Sequence, residues 1–327
     1  MAHELNFNSA GKASMAYAGD TPWHGLGQQL TPDAPLDVWT REAGLDWEVK
    51  KGAIAYEVRD EENNPVRMQT VPARWALYRS DTGAPLSVMS SNYFITQPRA
   101  VMEFFRDLTE GGDFKMETAG VLRNGSTYWA LAKAEDSFDV GGGDVVLPYL
   151  LLATSCDGSM SNTAQFTTTR VVCNNTLSLA VDNKSGQIRV PHSTQFNAAK
   201  FKAELGLCAD TWSQFKTSAT SLSKRKVSKE EATRYFLDVF YGDKAESIDV
   251  EAKRPMIELV TKIYLDGVGQ RSKTAQGTAW GLLNAVTRFA DHERKATSRD
   301  TRLQSAWFGA GARLKRDALT QAMAMVQ

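Results

Sequence analysis

Phe114-Lys-Met-Glu-Thr-Ala-Gly-Val-Leu-Arg-Asn-Gly-Ser-Thr-Tyr-Trp-Ala-Leu-Ala-Lys-Ala134 decides how the rest of the sequence is read. Two alternating runs, Phe114–Leu122 and Ser126–Ala134, flank Asn124-Gly125, the dipeptide that most strongly marks a β-hairpin. The next apolar stretch, Asp144–Thr154, reads as a third, buried strand that ends before Asp157-Gly158. A helix precedes this meander. Gln97-Pro98 opens it, Val101, Phe104, Phe105 and Leu108 share one face, and Gly111-Gly112 closes it. The order is therefore α-β-β-β. The following segment, 165–181, stays open: Thr167-Thr-Thr is strand-like, while Val171, Leu177 and Val181 also fit one helix face.

Outward from this core the pattern changes twice. Towards the N-terminus, a short helix is expected from about Pro35 to Ala43. Strand pairs follow at Ala53–Arg59 with Val66–Val71 and at Arg74–Arg79 with Ala84–Ser90, punctuated by Asp60–Pro65 and Ser80-Asp-Thr-Gly83. From Phe196 onward the apolar period is helical. Ser228-Lys-Glu-Glu231 is a capping box, Met256–Leu265 stops at Gly267, Ala279–Ala290 keeps a clean helical period, and a last helix covers about Thr301 to Met325. The expected fold is α+β: an antiparallel β-meander with packed helices in a mixed region 1–190, then a mostly helical region 191–327.

A chain of 327 residues can bury about three quarters of its unfolded surface, so it needs no disulfide or metal to build a core. Its 42% hydrophobic and 23% charged residues are ordinary for a globular protein. The longest apolar run, Val145–Ala153, is too short to span a bilayer, so no membrane partner is expected. Met1-Ala2-His3-Glu4 carries no secretory features, and three widely spaced cysteines fit a reducing cytoplasm. The zero net charge conceals an asymmetry. Residues 1–190 hold 16 Lys+Arg against 23 Asp+Glu, whereas residues 191–327 hold 22 against 15. The second part thus has the sign that suits a polyanion, although each cluster alone also fits a solvated helix surface.

Motifs for catalysis are missing. Cys156, Cys173, His192 and Cys208 do not form the close pairs of a zinc site, so neither metal nor cofactor is expected. There is no GxSxG elbow and no SxxK. Cys156 precedes a turn, and Cys173 follows two valines as a core residue would. Trp23-His24-Gly25 leaves two readings for His24: a pocket residue, or a turn cap through its ring nitrogen. Gly141-Gly-Gly143 lacks the tail of a P-loop, and Gly309-Ala-Gly311 falls inside the expected last helix. The chain is accordingly read as no enzyme and no user of ATP.

What remains is basic residues beside aromatics, the combination by which cationic grooves and stacking platforms hold single strands. Arg170 leads the candidates, with Arg123 at the hairpin tip. Lys224, Arg225 and Lys226 precede the helix with Tyr235 and Phe236. Arg271 and Lys273 precede Trp280, and Arg313, Lys315 and Arg316 follow Trp307-Phe308.

Five stretches occur together in order: Pro22-Trp-His-Gly-Leu-Gly27, Ala43-Gly-Leu-Asp-Trp47, Thr169-Arg-Val-Val-Cys-Asn-Asn-Thr-Leu177, Thr278-Ala-Trp-Gly-Leu-Leu-Asn-Ala285 and Ser305-Ala-Trp-Phe-Gly309. In these the chain resembles the phage- and plasmid-encoded family catalogued as a domain of unknown function. That resemblance implies a mobile-element protein in a bacterial cytoplasm and transfers no catalytic residue. At the level of element order, the meander followed by a helix near Thr168–Val181 is similar to the single-strand annealing recombinases of the RecT/Redβ/Erf superfamily, an analogy of fold. It implies an ATP-independent protein of homologous recombination that binds and anneals single-stranded DNA as a homo-oligomer, in a ring or a filament. The alternative is an interaction protein that binds a host factor, for example to blunt a defence system.

Overall fold

The computed structural model describes residues 11–19, 26–31, 33–110, 114–134, 137–170, 175–178, 180–181, 184–185, 187–206, 209–242, 250–295 and 305–326. Its largest sheet grows from the meander. Strands β1 (Met15–Ala18) and β2 (Gln28–Leu30) lead into helix α1 (Leu36–Glu42). Strands β3 (Val49–Arg59), β4 (Pro65–Arg79) and β5 (Pro85–Ser90) then precede helix α2 (Pro98–Glu110). The meander supplies β6 (Phe114–Leu122), β7 (Thr127–Ala134), β8 (Phe138–Asp139), β9 (Val145–Ser155) and β10 (Asn162–Arg170). Short strands follow: β11 (Asn175–Ser178), β12 (Ala180–Val181), β13 (Lys184–Ser185) and β14 (Gln187–Val190). The sheet order is β11-β10-β9-β7-β6-β1-β2, with β14 beside β10 and β8 beside β9. Among the described residues only β1 and β2 pair in parallel; the other neighbours in this sheet are antiparallel.

Period-two alternation gives this sheet two buried faces. Tyr128, Ala130 and Ala132 of β7, with Leu150 and Leu152 of β9, pack against Val101, Phe104 and Phe105 of α2. Trp129, Leu131, Tyr149 and Leu151 face the other way, against Ala306 and Trp307. A third core lies among helices α4 (Ala209–Lys224), α5 (Lys229–Tyr241), α6 (Val250–Asp266), α7 (Ala279–Arg288) and α8 (Ala310–Ala324), which follow α3 (Ala198–Gly206). It contains Phe215, Phe236, Val260, Leu283 and Leu319, and it also takes in Val146 of β9. The protein is thus α+β, an antiparallel-rich sheet packed with helices and followed by a mostly helical region. Among the described residues no helix is long and apolar enough to cross a membrane.

Several expectations change in detail. The turn at Asn124-Gly125 is wider than a two-residue hairpin: Leu122 pairs with Thr127, and Arg123, Asn124 and Gly125 all take positive φ. Gly125 is required by its φ of +100°, a conformation that a side chain would strain. The two N-terminal strand pairs share one long strand, β4, in a separate three-stranded sheet β3-β4-β5. The open segment is strand where it is described: β10 continues to Arg170 and pairs with β11, as Arg170 with Asn175 and Thr168 with Leu177. The helix near Thr168–Val181 that the annealing superfamily's element order requires is therefore absent from the described part, since ladder pairing on both edges of β10 satisfies its backbone. The last helix starts at Ala310, because Gly309 (φ −103°, ψ −144°) separates it from the helical residues Ser305–Trp307. The capping box forms as read: Ser228 Oγ accepts from the Glu231 amide at 3.2 Å, and Glu231 Oε2 accepts from the Ser228 amide at 2.8 Å.

Sheet and helices meet at a buried carboxylate. Asp144, in the turn before β9, accepts from Thr274 Oγ1 at 2.5 Å and from Trp280 Nε1 at 3.1 Å. Asp144→Ala strands two buried donors, so chemical denaturation should show a loss of about 2–5 kcal/mol. Asp144→Asn, which keeps an acceptor oxygen, should lose about half as much.

Candidate nucleic-acid interface

The segment Ser305–Phe308 is seated on the sheet by its aromatics. Trp307 meets Trp129 edge-on at 5.0 Å, and Gln165 Nε2 donates to the Trp307 carbonyl at 3.2 Å. Because Gly309 then breaks the helix, α8 begins beside the sheet, where Ser305 Oγ accepts from the Gly311 amide at 3.2 Å. A cavity of about 400 Å³ opens there. Its walls are Ser159, Met160, Ser161 and Thr163 from the sheet, Arg189 from β14, and Ser305, Phe308, Gly309 and Ala310. Thr163 and Arg189 are cross-strand partners, so both side chains rise from the same face.

Arg189, which lines this cavity, belongs to a group of arginines brought together from distant parts of the chain. Arg313 and Arg316 stand three residues apart on α8 and so share a side of the helix. Burial first, and then the charges of Arg189 and Arg313, pull the Arg316 pKa below its ordinary value, with Asp317 acting in the opposite sense. Arg189, Arg313 and Arg316 form no ion pair or hydrogen bond through their side chains among the described residues. Arg123 reaches the cavity wall from the hairpin tip, donating to Ser159 Oγ at 2.8 Å and pairing with Asp157 at 3.2 Å. Guanidinium forks match phosphate oxygens, serine and threonine hydroxyls can add hydrogen bonds, and the half-buried Phe308 ring offers an apolar wall.

The other basic candidates separate into three fates. Lys315 is a correction: only 1% exposed, its Nζ pairs at 2.7 Å with Asp291, itself 7% exposed, so no ammonium is left for a phosphate. Arg225 is committed internally, to Glu231, to the Lys226 carbonyl and, at 3.1 Å, to the Met325 carbonyl. Lys224 and Lys226 are exposed beside the loop of Arg271 and Lys273, joined to it through the Lys226 amine and the Gln276 carbonyl at 3.4 Å. Arg271 pairs with Asp266 at 3.2 Å. Arg170 holds its place at the end of β10, but its side chain lies outside the described residues, as do Trp23, His24, Gly25, Cys173 and Cys208. Gly141-Gly-Gly143 is a turn in which the Asp139 carboxylate already takes two amides, accepting from Gly141 at 2.8 Å and from Gly143 at 2.9 Å.

Arg189 escaped the sequence reading. The usable signal was the alternation of Ile188 and Val190 with Gln187 and Arg189, which is that of a half-buried strand.

Cys156 and His192 sit apart from this cavity's cations in roles of packing. Burial pushes the Cys156 thiol up to about 12, and its Sγ lies 3.5 Å from the Ser126 carbonyl. His192 bridges the Phe94 carbonyl (3.0 Å) and the Met160 carbonyl (3.2 Å) and stacks on Tyr93 at 4.5 Å. Burial lowers its pKa. The unfolded chain therefore takes up this proton first. The histidine's contribution should be complete above about pH 6.5 and fall away as pH drops towards the lowered folded value. Denaturation curves compared across that window should show a steeper acid loss for the wild type than for His192→Gln; equal slopes would refute the assignment.

A family model described as Domain of unknown function (DUF932) matches residues 85–307, more than half of the chain. No curated protein and no solved structure matches it.

Proposed function

The chain belongs to the DUF932 family, and from that premise we propose that it is an ATP-independent single-stranded DNA-binding and annealing protein whose strand lies along the cavity that Arg189 and Phe308 line at the start of α8. The observation that carries this reading is the cluster of Arg189, Arg313 and Arg316, three like charges without ion pairs among the described residues, of which Arg189 lines the cavity together with Phe308. Crowded cations destabilise one another, and a polyanion relieves that repulsion while releasing its own counterions. A ring at the cavity wall suits an unstacked base better than a closed duplex. Assembly of several subunits would multiply such sites along a strand.

Binding of a labelled single-stranded oligonucleotide, followed by fluorescence anisotropy without ATP, tests the reading. Log affinity should fall with log salt by about 0.7 per phosphate neutralised. Arg189→Ala or Arg316→Ala should weaken binding by about 1.5–3 kcal/mol, the value of one charge-assisted contact, and flatten the salt slope. Arg225→Ala should lower thermal stability and leave the slope unchanged. A wild-type protein that shows no salt-sensitive binding at low ionic strength would overturn the proposal in favour of a protein partner.

A further inference from the structure

Strands β3 and β4 run on past their third partner. β5 pairs with Arg74–Tyr78 alone, so beyond Ala53 the pair Ala55–Arg59 and Pro65–Thr70 is a two-stranded ribbon that reaches about 20 Å further. Such a ribbon gains little stability by itself. Yet this one carries Tyr56, Val66 and Met68, between 53% and 66% exposed. Tyr56 lies opposite Gln69 and Met68 opposite Glu57, so apolar side chains stand on both faces. Pro65 and Pro72 lack the amide that would let a strand add along the edge of β4. The arm is therefore built for contact through its side chains.

Its tip is acidic. Asp60 serves the turn, accepting from the amides of Glu62 (3.0 Å) and Asn64 (2.8 Å), and Glu57 pairs with Arg59 at 3.1 Å. Glu61 and Glu62 are exposed with no ion-pair partner among the described residues. The complement lies on another part of the same chain. At the C-terminal end of α6, Leu265 and Val268 are 58% and 53% exposed, with Leu259 close behind on the helix. Lys262, one turn before Leu265, and Lys273, in the loop five residues after Val268, are exposed and also without ion-pair partners among the described residues, while Asp266 between them is paired with Arg271 at 3.2 Å. An apolar ribbon ending in two unpaired carboxylates thus matches an apolar helix end flanked by two unpaired ammonium groups.

We propose that the β3–β4 arm of one copy docks on the α6 end of a second copy. The two surfaces are different, so the contact is head-to-tail and propagates into a ring or a filament rather than closing as a symmetric dimer. It does not depend on the nucleic-acid reading, and its test contains no DNA.

The test is mass in solution, by light scattering after size exclusion, on the full chain and on two charge-reversed variants. One is Glu61→Lys with Glu62→Lys, the other Lys262→Glu with Lys273→Glu. All four positions are exposed, and circular dichroism checks that both variants fold. The wild type should assemble at micromolar concentration, and each variant alone should run as a 36.0 kDa monomer. An equimolar mixture of the two should assemble again, with the variants alternating, because the reversed arm meets the reversed patch and the sound arm meets the sound patch; a mixture that stays monomeric overturns the charge pairing. A monomeric wild type overturns the proposal. So does a patch variant that assembles as the wild type does, which would mean that arms pair with arms.

Discussion

Asp144 is buried between the sheet and the helices, and both hydrogen-bond donors aimed at Oδ2 come from the helical region, Thr274 and Trp280. A carboxylate withdrawn from water is tolerable only where donors replace the water it lost. The turn that leads into β9 can therefore keep its buried position only if α7 approaches in one orientation. Through that approach α7 and α8 come to lie beside β11, and the chain after α7 returns to the sheet to seat Trp307 on Trp129.

A second buried charge sets the rotation of α8. Lys315 points inward to Asp291. Successive helical residues are about 100° apart, as 3.6 per turn requires, so an inward residue 315 turns 316 towards the flank and 313 towards solvent. The neighbours Lys315 and Arg316 are alike in sequence and opposite in fate for that reason. The arginines at the cavity are thus a consequence of where the core places its one buried lysine on this helix.

The cavity and the arm place cations and carboxylates at different parts of the surface. The cavity is lined by groups that suit phosphate and a base, while the arm and the α6 end pair apolar surface with opposite charge. Under the reading proposed above, the cavity would meet the strand and the arm a neighbouring copy.

The sequence by itself determined everything that rests on local periodicity. The meander from Phe114 to Thr154, helix α2 with its Phe104–Phe105 face, the Ser228 capping box and the helical run after Phe196 all follow from side-chain alternation or from groups within four residues of one another. Tertiary structure decided the rest. Residues 165–181 fit two periods, and the choice of strand came from β9 on one edge of β10 and β11 on the other. Gly309 carries no local signal of a break, and it becomes one because Trp307 is held on the sheet. The candidate interface was half legible. Arg123, Arg313 and Arg316 stood out by charge, but nothing in their spacing tied position 123 to 316, nor marked Lys315 as interior and Arg189 as their neighbour. Sequence fixes which face of an element is apolar; which element that face meets depends on contacts more than a hundred residues apart.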